Sequence, residues 1–340
     1  MKLNNDVKIA NYGKPYFIAE LNTSHFGDVQ IAKRMIDEAK ASGCDCVKFQ
    51  SWSASTLYSN TYYRQNPVAK RFVDKFSFGP EQLKDLSAYA QSVGISFGST
   101  PYSRDEVNFL LEHCSVPFIK IASMEINNYS YLDYVARTGT AIILSTGMAD
   151  QAEISRAVDC IVAAGNKNLC VLHCVSIYPA NPEIINLNNI MTLRQMHPGL
   201  PIGYSDHTIG AATPTAAVAL GAAVIEKHFT LDSSKIGMDN QMAMEPGSFR
   251  SMIADCNTAW LSLGSLERSV SKAELLQRAN MRRSIVSKRA IPAGAVIEPS
   301  DIEFKRPGDG YSPAESDLVV GKIASHDIAA DEVIYPDSIR

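Results

Sequence analysis

Two lysines stand where an apolar strand would place an aliphatic residue: Lys48 in Cys46-Val47-Lys48-Phe49-Gln50 and Lys120 in Phe118-Ile119-Lys120-Ile121-Ala122-Ser123. An ammonium inside such a run is costly unless it meets an anion. Two of them at one barrel mouth suit a bound dianion. Hydroxyls at Thr100, Ser123, Ser145 and Ser205 would complete a cradle for phosphate and carboxylate groups. The competing arrangement is a structural network pairing the lysines with Glu20 and Glu125. His207 and His228 end two further strands, and two imidazoles with open positions suit a catalytic divalent metal. Asp206 and Asp239 could orient those ligands. A general acid–base pair, or plain core histidines, would use the same two residues.

These groups converge only if the chain builds one closed sheet. Eight β-rich runs are legible, at 16–21, 46–50, 95–100, 118–123, 141–146, 169–176, 201–206 and 224–229. Most are spaced as βα units are, which predicts a parallel sheet. Amphipathic patterns between them predict helices over 31–41, 80–93, 151–164, 211–220 and 248–263. Eight units in this length match a (β/α)8 barrel, whose catalytic residues gather at the C-terminal ends of the strands. An open doubly wound sheet is disfavoured, because no GxGxxG or P-loop follows an early strand. The one long gap, 51–79, is rich in aromatic and basic residues. It reads as a substrate-covering loop, or as a loop packed on the barrel mouth or at a dimer contact.

The remaining features bound the class. The 340 residues carry a formal net charge of −4, so no global field favours nucleic acid or an anionic membrane surface. No segment approaches a membrane span and the first residues hold no signal-peptide-like run. Seven scattered cysteines without a CxxC pair fit a reduced, cytoplasmic protein. Cys174 stands out among them because it lies beside candidate site residues. Near the C-terminus, residues 291–302 (IPAGAVIEPSDI) repeat as 328–339 (IAADEVIYPDSI), which predicts a small domain of short strands. The expected division is a barrel over 1–265, a linker over 266–280 and a β-rich domain over 281–340.

Blocks along nearly the whole chain carry a resemblance. Ala19-Glu20-Leu21-Asn22-Thr23-Ser24-His25-Phe26-Gly27 is similar to the opening motif of sialic acid (N-acetylneuraminate) synthases. Val47-Lys48-Phe49-Gln50, Ser99-Thr100-Pro101-Tyr102, Lys120-Ile121-Ala122-Ser123-Met124-Glu125, Leu144-Ser145-Thr146-Gly147-Met148, Tyr204-Ser205-Asp206-His207-Thr208 and Glu226-Lys227-His228-Phe229 resemble further blocks in family order. Lys305-Arg306-Pro307-Gly308-Asp309-Gly310 resembles a segment of the antifreeze-like (SAF) domain that follows their barrel.

The resemblance implies a transferase that condenses phosphoenolpyruvate (PEP) with an N-acylated amino-sugar aldehyde, giving a nine-carbon 2-keto sugar acid, a nonulosonate. Carried over residue by residue, Lys48, Thr100, Lys120, Ser123, Ser145, Ser176 and Ser205 would hold PEP. Glu20, Gln50, Tyr178 and Asp239 would face the open-chain sugar. His207 and His228 would bind Mn2+, Mg2+ or Co2+ for Lewis-acid activation of the aldehyde. Glu125 would be the catalytic carboxylate, with Glu20, Lys48 and Lys120 beside it. Arg306 would reach the N-acyl group from the partner subunit of a domain-swapped homodimer, or else is an ordinary surface arginine. Departures at Leu21, Thr23, Ser24, Ser176 and 237–246 leave the sugar open among N-acetylmannosamine, its 6-phosphate and a 2,4-diacetamido-6-deoxy hexose. Two other classes stay in view: a PEP-aldol synthase acting on an unaminated sugar phosphate, and a non-catalytic saccharide-binding barrel.

Overall fold

Along each barrel strand, side chains alternate between the lumen and the surrounding helices, because successive residues of a strand face opposite sides. The strands are β1 (Tyr16–Glu20), β2 (Cys46–Ser51), β3 (Ser96–Pro101), β4 (Ile119–Ile121), β5 (Ile142–Ser145), β6 (Leu169–Cys174), β7 (Ile202–Asp206) and β8 (Val224–His228). All pair in parallel in sequence order, and β1 closes on β8 with Glu20 opposite His228. The computed structural model describes residues 1–4 and 6–340. It divides them into two compact units, Met1–Gly264 and Ser265–Arg340.

The period of two sorts the lumen into an apolar lower part and a polar top. Tyr16, Ile18, Cys46, Phe118, Ala141, Ile143, Cys170, Leu172 and Val224 form one buried cluster. A step of two residues further along the same strands brings Glu20, Lys48, Lys120, Ser145, Cys174 and Glu226. The opposite faces of the strands, with residues such as Val47, Phe49, Leu144 and Ile225, pack on the helices. Gly203 lies at a tight point of the wall, where a Cβ would overlap Leu172 and Val224.

The expected helices form over Val29–Ser42, Pro80–Val93, Gln151–Ala163, Ala212–Ala219 and Pro246–Leu263. The 51–79 stretch departs from expectation. It is three short helices, Ala54–Leu57, Asn60–Gln65 and Pro67–Phe76, instead of a loop. Ser59 caps the second through the Tyr62 N–H, and Pro67 occupies the first turn of the third. Trp52, Tyr63 and Val73 bury against one another as a small core of their own.

In the second unit, β9 (Ser284–Ser287) pairs antiparallel with β10 (Ile302–Lys305). The two halves of the sequence repeat meet at equivalent positions: Ile291 and Ile328 exchange both backbone hydrogen bonds at 2.9 Å. The stretch expected as a linker contains a helix, Lys272–Met281, capped by Ser271 and tied to this unit by the Gly308 N–H donating to Ala279 O at 2.6 Å. Among the described residues, no helix is long and apolar enough to cross a membrane.

Candidate active site

A cavity of about 350 Å3 opens at the C-terminal ends of the barrel strands. Its floor is the polar top of the lumen. Lys48 donates to Thr100 Oγ1 at 2.9 Å and is ion-paired with Glu20. Lys120 donates to Ser145 Oγ at 2.7 Å and lies 3.2 Å from Glu226 Oε1. Glu226 also accepts from Ser205 Oγ at 2.9 Å, while its Oε2 is buried without a hydrogen-bond partner and 3.8 Å from Lys48. Burial opposes the Glu226 charge, but Lys120 and then Lys48 hold its carboxyl down at about 2. Burial draws the Lys48 ammonium down to about 7, with Glu226 opposing the shift and Lys120 adding to it.

The lysines therefore do pair with carboxylates, but the partner of Lys120 is Glu226 and not Glu125. Four hydroxyls and two ammonium groups still share one floor, and Gly147 brings bare backbone to it. The Gly147 N–H donates to Ser123 Oγ at 3.0 Å, and a Cβ on Gly147 would run into Ser176 Oγ and Ser123 Oγ. Absence of that Cβ is what lets both serine hydroxyls approach this backbone.

The two imidazoles stand above this floor with ring centroids 5.4 Å apart. His207 Nδ1 donates to Val175 O at 2.8 Å, which leaves Nε2 as its acceptor nitrogen. His228 Nδ1 is buried without a partner, and burial, then the neighbouring His207, keep this ring well below the usual histidine range, hence neutral. On His207 burial opposes the charged form, but Cys174 and the Val175 carbonyl outweigh it and raise its pKa; a divalent metal would take this ring deprotonated, with water and substrate filling the positions that two imidazoles leave open. Among the described residues, no cluster of three or more His, Cys, Asp and Glu side chains forms a closed metal site. Cys174 lines the cavity 4.0 Å from His207 Nδ1.

The sugar-side candidates form the wall. Tyr178 packs its ring 4.2 Å from that of His207. Gln50 accepts from Tyr102 OH at 3.0 Å. Asp239 accepts from Asn22 Nδ2, and burial raises its carboxyl despite His207 and Asn22. All of these line the cavity, as do Thr100, Ser123, Ser145, Ser176 and Ser205. Two expected residues lie elsewhere. Glu125 sits on the turn after β4, half-buried, accepting from Asn128 Nδ2 at 2.8 Å; its neighbours Ser123 and Met124 line the cavity and it does not. Its charge nevertheless reaches the lining phenol Tyr102, helping burial and Tyr178 push that group up. Arg306 belongs to the second unit and is exposed just past β10.

Several lining residues had no assigned role in the sequence reading: Glu226 and Asn22, polar residues at strand ends, Trp52 and Tyr58, counted only as aromatic residues of a covering loop, and Leu57, Tyr102, Met124, Met148 and Met238. Glu226 carried a readable signal, standing two residues before His228 on the same face of a strand. The others come from connecting segments, where periodicity says nothing about direction.

The chain is similar to known proteins over nearly its full length. The N,N'-diacetyllegionaminic acid synthase of Legionella pneumophila is 38% identical over 96% of this chain and 94% of its own. The N-acetylneuraminate-9-phosphate synthase of Mus musculus is 34% identical over 96% of this chain and 92% of its own. The crystal structure of N-acetylneuraminic acid (sialic acid) synthetase from Leptospira borgpetersenii serovar Hardjo-bovis in complex with citrate superposes with a TM-score of 0.75 at 34% identity, covering 82% of this chain and 94% of that one. The NeuB family model matches residues 35–268 and the SAF domain model residues 282–340. The chain is thus a PEP-dependent sugar-acid synthase and belongs to the NeuB family, with a SAF domain at its C-terminal end.

Proposed function

We propose that this enzyme condenses PEP with the aldehyde form of an unphosphorylated N-acylated amino sugar, releasing phosphate and a nine-carbon 2-keto acid. The observation that carries the choice is the cavity lining. Among the described residues, Lys48 and Lys120 at its floor are its only lysine or arginine side chains, and its rim is Trp52, Leu57, Tyr58, Met124, Met148 and Met238. On β2, Lys48 and Gln50 face the same way at about 3.3 Å per residue, and Trp52, just past the strand, lines the same cavity. The wall thus passes from cation to amide to indole over roughly 13 Å. PEP at the floor leaves the far end of a six-carbon chain among uncharged groups. That suits an N-acylated or deoxygenated end better than a 6-phosphate. N-acetylmannosamine and a 2,4-diacetamido-6-deoxy hexose are the two candidates.

In this reading, Lys48 and Lys120 with Thr100, Ser123, Ser145, Ser176 and Ser205 hold the phosphate and carboxylate of PEP and keep its methylene facing the mouth. They offset charge on both groups as C2 rehybridises. Gln50, Tyr178, Asp239 and Glu20 orient the sugar so that its C1 meets that methylene. A divalent metal, Mn2+ foremost and Mg2+ or Co2+ as substitutes, would be held by His207 and His228 and would polarise the aldehyde oxygen. The new bond joins the PEP methylene to C1 as the PEP double bond opens. Water adds at C2, with Glu125 accepting its first proton once it turns from Asn128 towards the cavity and returning it to the aldehyde oxygen. The C2–O bond to phosphate then breaks, and the second water proton leaves with the phosphate as the keto group forms. Arg306 from a second copy, in a domain-swapped homodimer, meets the N-acyl group. We place the reaction in the cytoplasm, where PEP is available.

The test is phosphate release from PEP with Mn2+ and a panel containing N-acetylmannosamine, its 6-phosphate, a 2,4-diacetamido-6-deoxy hexose and an unaminated sugar phosphate. Release with an N-acylated, unphosphorylated sugar is expected. Preference for either phosphate ester would overturn the sugar assignment, and no release with any of them would overturn the reaction.

A further inference from the structure

Behind the two imidazoles lies a buried ion pair that faces away from the cavity. Asp206 and Lys227 alternate with the cavity-lining Ser205 and His207 on and just past β7, and with Glu226 and His228 on β8, so they point out of the lumen. They are 1% and 2% exposed. Lys227 Nζ donates to Asp206 Oδ2 at 2.5 Å and to the Thr208 carbonyl at 2.7 Å. Asp206 Oδ1 accepts from Tyr204 OH at 2.8 Å, the Thr208 N–H at 2.9 Å and Thr213 Oγ1 at 3.3 Å.

Taking two charges out of water is expensive, and well-packed apolar residues of similar volume often hold a protein together as well or better. Stability alone therefore gives no reason for this pair. Its connections do. His207 lies between Asp206 and Thr208, both of which the network grips, and Thr208 is held through its N–H and its carbonyl. His228 directly follows Lys227. The pair thus ties together the backbone on either side of one imidazole and immediately before the other, across the β7–β8 seam. The ring of His207 is then set by its bond to Val175 O.

We propose that Asp206 and Lys227 are positioning residues that brace His207 and His228 at the spacing a divalent metal requires. The inference rests on reading those histidines as the metal pair. A metal site tolerates about 0.5 Å and 10–20° of error in its ligands, and loss of the groups that orient ligands typically weakens metal binding 10–100-fold.

The experiment is Mn2+ titration of the resting enzyme, without PEP or sugar, followed by electron paramagnetic resonance. Binding by the wild type that is lost in His207→Ala and His228→Ala establishes the metal pair; binding unchanged in those variants overturns the metal reading and the brace with it. The double variant Asp206→Leu/Lys227→Met replaces the ion pair by apolar side chains of similar volume. Its Mn2+ dissociation constant is expected to rise about 10–100-fold. At saturating Mn2+, its KM for PEP should stay within about twofold, because the floor lysines are untouched. A folded double variant with wild-type Mn2+ affinity overturns the brace alone. Should it not fold, Tyr204→Phe and Thr213→Val each remove one donor to Asp206, and a several-fold rise is expected in each. Thr213→Ser, which keeps the hydroxyl, should restore wild-type affinity. Unchanged affinity in both donor deletions overturns the proposal.

Discussion

Glu226 Oε1 lies 3.2 Å from Lys120 Nζ, with Oε2 of the same carboxylate 3.8 Å from Lys48 Nζ. One buried anion thus separates two buried cations. Removing one partner of a buried charge pair typically costs about 3–5 kcal/mol. Glu226→Gln should therefore lower the melting temperature of the free enzyme. A PEP anion would restore the lost compensation, so PEP should raise the melting temperature of the variant more than that of the wild type. Equal PEP-induced shifts in thermal unfolding would contradict this account.

Metal removal should weaken PEP binding as well as turnover. Two lysine side chains of the cavity stand against three carboxylates, Glu20, Glu226 and Asp239, so a PEP anion entering the metal-free cavity meets no net positive charge. A divalent cation, if held by His207 and His228, would reverse that balance. EDTA-treated enzyme should bind PEP at least about tenfold more weakly, by calorimetry, and Mn2+ should restore the affinity. Full activity after EDTA treatment would remove the metal from the mechanism.

Lys48 supplies a pH dependence. Burial first, with Lys120 after Glu226 among its charged neighbours, lowers its ammonium to about 7 in the free enzyme. PEP stabilises the ammonium and so raises its pKa in the complex. Binding must then take up a proton between about pH 7 and the higher pKa of the complex. PEP affinity should fall as pH rises through that window, with a slope of at most about one log unit per pH unit. Calorimetry in buffers of different ionisation enthalpy measures the uptake directly. Binding at pH 8 with no proton uptake would show that Lys48 is already charged there.

The reach of the sequence follows from strand alternation. At Lys48, Lys120 and Ser145 a polar residue interrupts an apolar strand, and the period of two places it at the cavity. Pairing across the lumen was not legible. Lys120 and Glu226 come from strands far apart in sequence, and only barrel closure brings them together. The same limit hid Lys227 as the partner of Asp206, a residue that the sequence offered as orienting the histidines but without the cation it pairs with. At 51–79, the long gap between strands reads as a loop, whereas Ser59 and Pro67 start helices in the structure. Trp52, Tyr63 and Val73 pack together over more than one helical repeat, a contact that no local window contains.

Gly147→Ala tests the anion cradle. The added methyl would press on Ser123 Oγ and Ser176 Oγ. Overpacking a tight site typically costs about 1–3 kcal/mol. Here the displaced groups are the proposed PEP hydroxyls, so the KM for PEP should rise at least about tenfold, while the KM for the sugar changes little. An equal rise in both constants would indicate a general distortion of the barrel mouth.

Glu125→Gln decides between two roles for a carboxylate that lies beside the cavity without lining it. As acceptor of the proton from the attacking water, Glu125 contributes about 100-fold or more to kcat. Gln keeps the size and the hydrogen-bonding reach of Glu but cannot take that proton. The expected result is a kcat reduced by that factor with the dissociation constant for PEP within about twofold, read by phosphate release and calorimetry on the same preparation. Hydrogen bonds of catalytic groups often tighten only when substrate is bound, so the bond to Asn128 in the free enzyme is compatible with this role. Asn128→Ala, which frees the Glu125 side chain, should leave kcat within a few-fold of the wild type. Wild-type turnover by Glu125→Gln would instead assign proton transfer to one of the carboxylates that line the cavity, Glu20 or Asp239.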